Sequence, residues 1–317
     1  MPELPEVENL RLGLESKILG QKILKVEVYK PKLVSSKSTK RTPSKKKVIE
    51  FESGLTNEKF VAVERRAKNL IFRLTHNKII LVHLKMTGQF VYLPSHKATA
   101  RQANQDTKTI NRSYLKDKIQ GGHPIFLSES ELPNKHTHII FHLSNGTLYY
   151  NDTRMFGYVL YYPNQKEFDK ENHFKKLGLE PVEKDFNKDY FAHKLKNKKG
   201  KIKAVLLNQD IVTGVGNIYA DESLFESGIR PDRQANTLKI DEVSKLHKAI
   251  TRIIKKAISV GGSSVATYRL LDDTEGNYAR EHKVYGKVGK KCVNCEQKLE
   301  KIIIQSRTTI FCKNCQK

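Results

Sequence analysis

Two cysteine pairs near the end of the chain decide the fold of its last segment, Cys292-Val293-Asn294-Cys295 and Cys312-Lys313-Asn314-Cys315, with sixteen residues between them. The sequence contains four cysteines, so these pairs account for all of them. Paired CxxC knuckles supply the tetrahedral thiolates that Zn²⁺ prefers, and in an intracellular chain they indicate a metal site rather than disulfides. Because four thiolates leave no open position, we predict one structural Zn²⁺ per chain, in a zinc finger over residues 281–317.

The loop between the two cysteine pairs holds Gln305-Ser306-Arg307-Thr308-Thr309. This stretch predicts a hairpin tip that points Arg307 outward. From the residues alone, Arg307 is interpreted as one more surface arginine.

Net charge indicates the kind of partner. The chain has 58 Lys and Arg against 34 Asp and Glu over 317 residues, a formal charge of +24. This favours a polyanion, with nucleic acid as the first choice and ribosomal or membrane-surface binding as alternatives. No apolar run approaches the roughly 18–20 residues of a transmembrane helix, and no secretory signal precedes the first helix. We expect a cytoplasmic protein without a membrane partner.

The first half of the chain is predicted to be a β-sandwich flanked by helices. Val7, Leu10, Leu14 and Ile18 recur at helical spacing, and Gly20 follows as a stop. Short β-like runs then follow, separated by turn residues, as in a sandwich. These runs cover residues 23–29, 59–64, 69–74, 78–84, 89–93, 137–143 and 147–150. Two polar inserts, 35–47 and 95–123, are predicted to be mobile loops.

The second half is predicted to be helical, which makes the fold class α+β. Val243, Leu246, Ile250 and Ile254 mark one long amphipathic helix that ends at Gly261-Gly262. The predicted domains are a β-sandwich over 1–165, a linker over 166–184, a helical domain over 185–280, and the finger.

Chemistry is indicated at the N-terminus. Removal of Met1, usual before a small residue, makes Pro2 a secondary amine followed at once by the carboxylic acid of Glu3. An amine attacks carbonyl-like carbons only when it is unprotonated. An α-amine is neutral in roughly a fifth to a third of molecules near pH 7.4, against roughly one in a thousand for lysine.

Other motifs are weaker when taken alone. Gly214-Val215-Gly216-Asn217, which opens a helix, is typical of a phosphate cradle but also of a plain helix connection. Lys68 precedes an apolar strand. It is interpreted either as a residue that contacts phosphate or as a charged residue at the edge of the sheet. Phe156 and Met86 are candidate wedges for the void that an everted base leaves, although core packing is the more common role of such residues.

Seven blocks in order make the chain resemble the formamidopyrimidine-DNA glycosylase/endonuclease VIII family. The blocks are Pro2-Glu3-Leu4-Pro5-Glu6-Val7-Glu8, Arg65-Arg66-Ala67-Lys68, His83-Leu84-x-Met86-x-Gly88, Asp152-x-Arg154-x-Phe156-Gly157, Gly214-Val215-Gly216-Asn217-Ile218-Tyr219-Ala220, Val284-Tyr285-Gly286 and the four cysteines. The start resembles the formamidopyrimidine branch, since the endonuclease VIII branch usually begins Pro-Glu-Gly-Pro.

The resemblance implies a nucleoid-associated protein of bacterial type, in which the β-sandwich over 1–165 is catalytic and the helical domain over 185–280 is a helix–two-turn–helix DNA-binding domain. It implies base excision repair of damaged double-stranded DNA by a DNA glycosylase with AP-lyase activity, acting as a monomer on oxidised purines. Pro2 would attack C1′, Glu3 would protonate the sugar ring oxygen, Lys68 would serve β-elimination, and Arg307 would serve δ-elimination. Asn217 would bind phosphate. Other DNA contacts implied by the resemblance are His83, His136, Lys198 and Lys203. The void-filling residues implied are Met86, Arg154, which would face the orphaned cytosine, and Phe156, and the segment 263–278 would cover the lesion.

The chain departs from the family pattern at two positions. Met155 stands where a second arginine is usual, and Lys85 stands where glycine is usual. Three alternatives remain open: an oxidised-pyrimidine glycosylase like endonuclease VIII, a non-catalytic DNA-binding paralogue, and a ribosome-associated basic protein. A non-catalytic paralogue is expected to lack Pro2, Glu3 or Lys68, and all three are present. A ribosome-associated protein would explain the charge and the zinc but not the N-terminal sequence.

Overall fold

The computed structural model describes residues 1–38, 40–95, 132–263 and 276–317, and the backbone of 119–122. These residues form two compact units. The first contains Met1–Pro2, Glu6–Asn172 and, among later residues, Ser263 and Gly276. The second contains Glu3–Pro5, His173–Gly262 and Asn277–Lys317, so the predicted zinc finger belongs to the same unit as the helical domain.

The predicted first helix is confirmed as α1, Leu4–Ile18. Its apolar residues Val7, Leu10, Leu14 and Ile18 are each at most 1% exposed, as their three- and four-residue spacing requires of one buried face. Gly20 follows in the left-handed region with φ of 77°, the conformation that favours glycine just after a helix.

The predicted β-sandwich is also confirmed. Strands β1 to β9 are Ile23–Val28, Phe60–Arg66, Asn69–Leu74, Ile79–His83, Gly88–Pro94, Ile119–Gly122, Thr137–Leu143, Gly146–Asp152 and Tyr158–Tyr162. One sheet has five strands in the order β1-β7-β8-β5-β6, and the other has four in the order β2-β3-β4-β9. All paired strands are antiparallel. The sequence reading had no strand for Tyr158–Tyr162, which is an edge of the four-stranded sheet.

Aromatic residues join the inner faces of the two sheets. Phe72 of β3 meets Phe90 of β5 edge to face at 5.8 Å between ring centroids, and Phe90 in turn meets Tyr150 of β8 at 5.3 Å. All three side chains are at most 1% exposed. Such edge-to-face contacts add to the stabilisation that burial of the rings provides.

The loop prediction for the two inserts is wrong at their described ends. Helix α2 spans Lys32–Ser35 and helix α3 spans Lys45–Leu55, so residues 45–47 are helical. The hydroxyl of Ser44 caps α3 by accepting the Lys47 N–H at 3.2 Å, and Phe51 and Leu55 are buried in the core of the first unit. Residues 119–122 of the second insert form β6, while positions 96–118 and 123 lie outside the described residues.

The second unit is mainly helical. Helix α4, Gln165–Lys170, still belongs to the first unit and occupies the start of the predicted linker. The helices that follow are α5 at Lys188–Leu195, α6 at Ile202–Leu207, α7 at Asn217–Glu226, α8 at Ile240–Ser259 and α9 at Tyr278–Glu281. The predicted long helix is α8, and its apolar stripe is buried as expected. Among the described helices, none is both long enough and apolar enough to span a membrane.

The finger contains a β-hairpin. Strands β10, Glu300–Ile304, and β11, Arg307–Phe311, are antiparallel and joined by Gln305 and Ser306. Both turn residues have positive φ, 48° and 57°, as a two-residue type I′ turn requires. The hairpin prediction is therefore confirmed, and Arg307 is exposed at the first position after the turn.

Candidate functional site

Within the second unit, the Glu3 carboxylate is fixed by main-chain donors. Its Oε2 accepts the Gly216 N–H at 2.7 Å, and its Oε1 accepts the Ile218 N–H at 2.9 Å. The side chain is only 3% exposed. Helix α7 begins at this point, and the unpaired N–H groups of a helix N-terminus attract an anion. The anion held by these two N–H groups is therefore the protein's own carboxylate, not the phosphate that the glycine motif suggested.

Gly216 is required by this arrangement. A Cβ at this position would lie 2.4 Å from Cδ of Glu3, closer than any real contact. The glycine lets the backbone approach the carboxylate directly, which explains why this motif carries glycine where an ordinary helix connection does not need it.

Pro2 immediately precedes Glu3 and is buried, whereas Met1 is 38% exposed. With Met1 in place, Pro2 nitrogen is an amide. Once Met1 is removed, the nitrogen becomes an amine one residue from a carboxylate whose position is fixed by two hydrogen bonds.

Lys68 lies in the tight turn between β2 and β3, where Ala67 has φ of 58°. The turn is braced by Arg65, which donates to the Ala67 carbonyl at 3.1 Å and to Glu8 at 2.6 Å. Burial alone raises the pKa of Glu8, but the hydrogen bonds and charges of Arg65 and Arg11 outweigh burial and lower that pKa below its usual value. The Lys68 side chain is 6% exposed, so the lysine is held by its surroundings rather than loose on a sheet edge.

His83 is neutral, with one tautomer favoured. Its Nδ1 accepts the Lys85 N–H at 3.0 Å, so the ring proton resides on Nε2, which is a hydrogen-bond donor. Burial, followed by the charges of Lys85 and Lys68, lowers the pKa of His83 to about 3. Lys85 has φ of 52°, which explains the glycine that the family pattern favours there.

The three candidate void-filling residues are at the surface, so the core-packing interpretation of Phe156 and Met86 is wrong. Phe156 is 53% exposed and Met86 is 39% exposed. The exposed Arg154 guanidinium lies over the Phe156 ring at 4.7 Å, which holds the two side chains together.

Two residues to which the sequence analysis gave no role, Thr87 and Asp152, hold the backbone beside these side chains. The Thr87 hydroxyl donates to Asp152 Oδ1 and accepts the Arg154 N–H at 3.0 Å. The other carboxylate oxygen of Asp152 accepts the Gly157 N–H at 2.8 Å. Asp152 is fully buried. It holds the Gly157 end of the loop directly and the Arg154 end through Thr87.

The structure does not support direct DNA contact by Lys203. Its side chain is fully buried, and Nζ lies 2.7 Å from Asp221 Oδ1, 2.7 Å from the Thr309 hydroxyl and 3.1 Å from the Thr308 carbonyl oxygen. Three protein oxygens thus surround the ammonium, which explains why a lysine can be buried here. Lys203 joins α6 and α7 to the strand that begins at Arg307.

Asn217 also contacts the finger hairpin, because its Nδ2 donates to the Thr308 carbonyl at 3.3 Å.

A further buried carboxylate in α7 was not predicted from the sequence. Glu222 accepts the N–H groups of Lys283, Val284 and Tyr285 at 2.8, 3.0 and 2.8 Å, and so fixes the segment that opens the finger.

Two remaining predicted DNA contacts lie on separate units. His136 is partly buried just before β7, and its N–H donates to Asn134 Oδ1 at 2.8 Å. Lys198 is exposed after α5. The predicted lesion-covering segment is described only at its ends, where Ser263 N–H donates to Glu6 at 2.7 Å, and residues 264–275 lie outside the described part of the chain.

The four cysteines fit a tetrahedral metal ion. Their sulfur atoms all lie within 4.8 Å of one another. Cys292 and Cys315 sulfurs are 3.8 Å apart, and Cys295 and Cys312 sulfurs are 3.5 Å apart. Four sulfurs each about 2.3 Å from a central Zn²⁺ would be about 3.8 Å apart.

The chain is similar to known proteins along its whole length. The Formamidopyrimidine-DNA glycosylase N-terminal domain family matches residues 1–159, and the Formamidopyrimidine-DNA glycosylase H2TH domain family matches residues 177–269. Formamidopyrimidine-DNA glycosylases of Carboxydothermus hydrogenoformans and Listeria monocytogenes are 37% and 38% identical over 100% of both chains. The chain belongs to the formamidopyrimidine-DNA glycosylase family. It is therefore a DNA glycosylase of this type, as the sequence predicted.

Solved structures agree on the fold. The chain is similar to a Lactococcus lactis mutant of this family in complex with Fapy-dG containing DNA, with a TM-score of 0.79, 33% identity and 99% of both chains covered. A complex of the Lactococcus lactis enzyme with abasic-site DNA gives a TM-score of 0.79 at 32% identity and the same coverage. The predicted α+β class, with a β-sandwich, a helix–two-turn–helix domain and a four-cysteine finger, is confirmed.

Proposed function

We propose that this protein is a bifunctional DNA glycosylase and AP lyase of base excision repair that acts on oxidised purines, 8-oxoguanine and formamidopyrimidines, in damaged duplex DNA. The observation that carries the proposal is the Glu3 carboxylate, held by two main-chain N–H groups directly after Pro2. A general acid or base must be in place before the reaction, and this one is fixed beside the candidate nucleophile along the chain.

The reaction begins at Pro2. Its unprotonated nitrogen attacks C1′ of the damaged nucleotide, the new N–C1′ bond replaces the glycosidic bond, and the damaged base leaves with the electron pair. The Glu3 carboxylate then takes the N–H proton from the Pro2 nitrogen. The freed electron pair forms the C1′–N double bond and the C1′–O4′ bond breaks, as Glu3 gives that proton to the sugar ring oxygen. This leaves a cationic Schiff base between Pro2 and the sugar, and the departed base takes a proton from solvent. A proline amine is suited to this step because more of it is unprotonated near neutral pH than of a lysine.

Strand cleavage follows from the Schiff base. Lys68, held in the β2–β3 turn, takes part in the proton transfer of β-elimination. Arg307, exposed at the start of β11, clamps phosphate and serves δ-elimination.

DNA binding uses the excess of positive charge and a small set of side chains. Neutral His83 donates from Nε2 to a phosphate oxygen, while His136, Lys198 and Asn217 contribute further phosphate contacts. When the damaged base leaves the stack, the exposed side chains of Met86, Arg154 and Phe156 fill the gap, with Arg154 towards the orphaned cytosine.

The test is borohydride trapping on duplex DNA with one 8-oxoguanine opposite cytosine, followed by mass mapping of the adduct. We expect a covalent adduct on an N-terminal Pro2, which also requires that Met1 has been removed. Pro2→Gly should lose lyase activity on abasic DNA, and Glu3→Gln should excise 8-oxoguanine more slowly while it still binds duplex. Lyase activity retained by Pro2→Gly would exclude Pro2 as the nucleophile.

A second substrate class is supported by one relative. The Lactococcus lactis enzyme has been solved in complex with an oxidised pyrimidine containing DNA. Trapping on duplexes with an oxidised pyrimidine therefore belongs beside the 8-oxoguanine experiment. Adducts only with the pyrimidine duplex would keep the chemistry and change the proposed substrate, and duplex binding without any adduct would favour the non-catalytic paralogue.

We also propose that the finger holds one structural Zn²⁺ on Cys292, Cys295, Cys312 and Cys315. Metal analysis of the purified protein should give about one zinc per chain, as four thiolates form one closed tetrahedral site. Cys295→Ser should lower zinc content and duplex affinity together, because a finger of this kind folds on its metal. The matched control is Asn294→Ala, an exposed side chain between two ligands, and equal zinc content in the two variants would contradict the site.

A further inference from the structure

Arg41, from the basic insert at 35–47, reaches the loop that carries the void-filling residues. Its Nη2 donates to the Met155 carbonyl at 2.7 Å, and its Nη1 donates to the Gly157 carbonyl. These two carbonyls stand on either side of Phe156. The guanidinium is partly buried, 116 residues away in sequence from Gly157.

The loop needs such support. Residues 153–157, here called the wedge loop, present Arg154 and Phe156 to solvent, and Met155 has φ of 53°, a conformation that a side chain with Cβ adopts reluctantly. Asp152 and Thr87 hold the N–H groups of the loop at Gly157 and Arg154. Arg41 is the residue that holds its carbonyls at Met155 and Gly157.

A guanidinium suits the two carbonyls better than an ammonium does. Arginine presents several N–H donors in a rigid planar fork, whereas lysine has a single ammonium on a flexible stem. Hydrogen bonds from a charged donor are stronger than neutral ones. Burial lowers the pKa of Arg41, and the charge of Asp152 opposes this change. The group stays charged because the ordinary arginine pKa lies so far above neutrality.

The insert thus brings a cation to a loop that lacks the second arginine of the family pattern. Met155 occupies the position where a second arginine is usual, and the Arg41 guanidinium lies at the carbonyl of that same residue. Arg41 also contributes, after burial, to a lowered pKa of Lys85 beside Met86. Arg41 is therefore close to both segments that carry void-filling side chains.

We propose that Arg41 is a positioning residue for base eversion: it fixes the wedge loop so that Arg154 and Phe156 enter the duplex in place of the damaged nucleotide. This role rests on the proposed glycosylase function. It gives the first insert a purpose beyond a solvated connection, because the insert supplies a residue that the sandwich strands do not.

The experiment compares Arg41→Met, Arg41→Lys and the neighbouring exposed control Lys40→Ala in the full-length protein. Single-turnover excision of 8-oxoguanine opposite cytosine should fall about tenfold in Arg41→Met, and Arg41→Lys should not restore it. Lys40→Ala should excise at the wild-type rate. Cleavage at a preformed abasic site should change less than excision, because no base has to be everted there.

A double-mutant cycle with Phe156→Ala separates positioning from general stability. If Arg41 acts through the wedge loop, Arg41→Met adds little to the loss already caused by Phe156→Ala. An equal loss in both backgrounds, or a wild-type excision rate in Arg41→Met, would overturn the positioning role. Wild-type protein that neither excises nor is trapped would instead refute the proposed function, so the two failures are distinguishable.

Discussion

At the scale of single residues, the site depends on close approaches that one added atom would prevent. Glu3 is held by Gly216 and Ile218, 213 and 215 residues away in sequence. Both contacts are main-chain N–H groups, so they survive most side-chain changes but not a change in backbone path. Gly216 is the position at which this path and the Glu3 carboxylate meet.

Gly216→Ala should therefore disable catalysis without unfolding the protein. The new Cβ would overlap Glu3 Cδ, which must move, and a displacement of about 1 Å in a catalytic group costs about a hundredfold in rate. Single-turnover excision kinetics measure this loss. The matched control is Gly200→Ala in the same unit, where the nearest atom to a Cβ lies at an ordinary 3.5 Å. Equal rates in the two variants would show that the Glu3 position is not critical.

At the scale of elements, a buried ion pair ties the helical domain to the finger hairpin. Lys203 of α6 pairs with Asp221 of α7, and it also holds the Thr309 hydroxyl of β11. The other Asp221 oxygen accepts the Ile310 N–H at 3.3 Å. Burial lowers the pKa of Lys203 and raises that of Asp221 to about 7, and in each case the partner's charge opposes the change. Strand β11, which begins at Arg307, is thus attached to α6 and α7 through a buried ion pair. Removal of either charge would leave the other buried and unpaired.

Lys203→Met should destabilise the protein by about 3–5 kcal/mol, because it leaves the buried Asp221 without its cation. Urea unfolding measures the change. The double variant Lys203→Met with Asp221→Leu should recover much of the loss, since no unpaired charge remains. The exposed Lys201 provides the control, and a Lys203→Met variant as stable as Lys201→Met would show that the pair contributes nothing.

At the scale of the whole molecule, the dominant property is charge. A formal charge of +24 gives the chain a strong net attraction for a polyanion such as the DNA backbone. A protein that neutralises phosphates releases counterions, and its affinity falls with salt.

Duplex affinity should therefore fall about a thousandfold between 50 and 200 mM salt, as expected for about six phosphate contacts. Fluorescence anisotropy over a salt series gives the slope. Lys198→Ala should weaken binding to all duplexes and reduce that slope by about one. Lys166→Ala removes the same charge from an exposed position in α4 without a predicted role, and it should leave the slope unchanged. An identical salt slope in both variants would show that Lys198 does not contact DNA phosphate.

The sequence by itself determined the features that depend on neighbouring residues. Spacing of Val7, Leu10 and Leu14 predicted α1, because residues three and four apart share one face of a helix. The two CxxC pairs predicted the clustered cysteines, because each pair is already a local knuckle. Short apolar runs separated by turn residues predicted most sandwich strands, because this signal too lies in neighbouring residues.

Only the tertiary structure decided the contacts between residues far apart in the chain. No local pattern shows that Lys203 is buried against Asp221, that the Gly216 N–H holds Glu3, or that Arg41 of a polar insert reaches the Phe156 loop. A lysine is usually exposed, a glycine-rich helix start usually suggests phosphate, and a Ser/Lys-rich insert usually suggests a solvated loop. Each of these tendencies was overridden because folding brought an oppositely charged or hydrogen-bonding group to that position, and the pairing of buried polar groups is a property of three-dimensional neighbours.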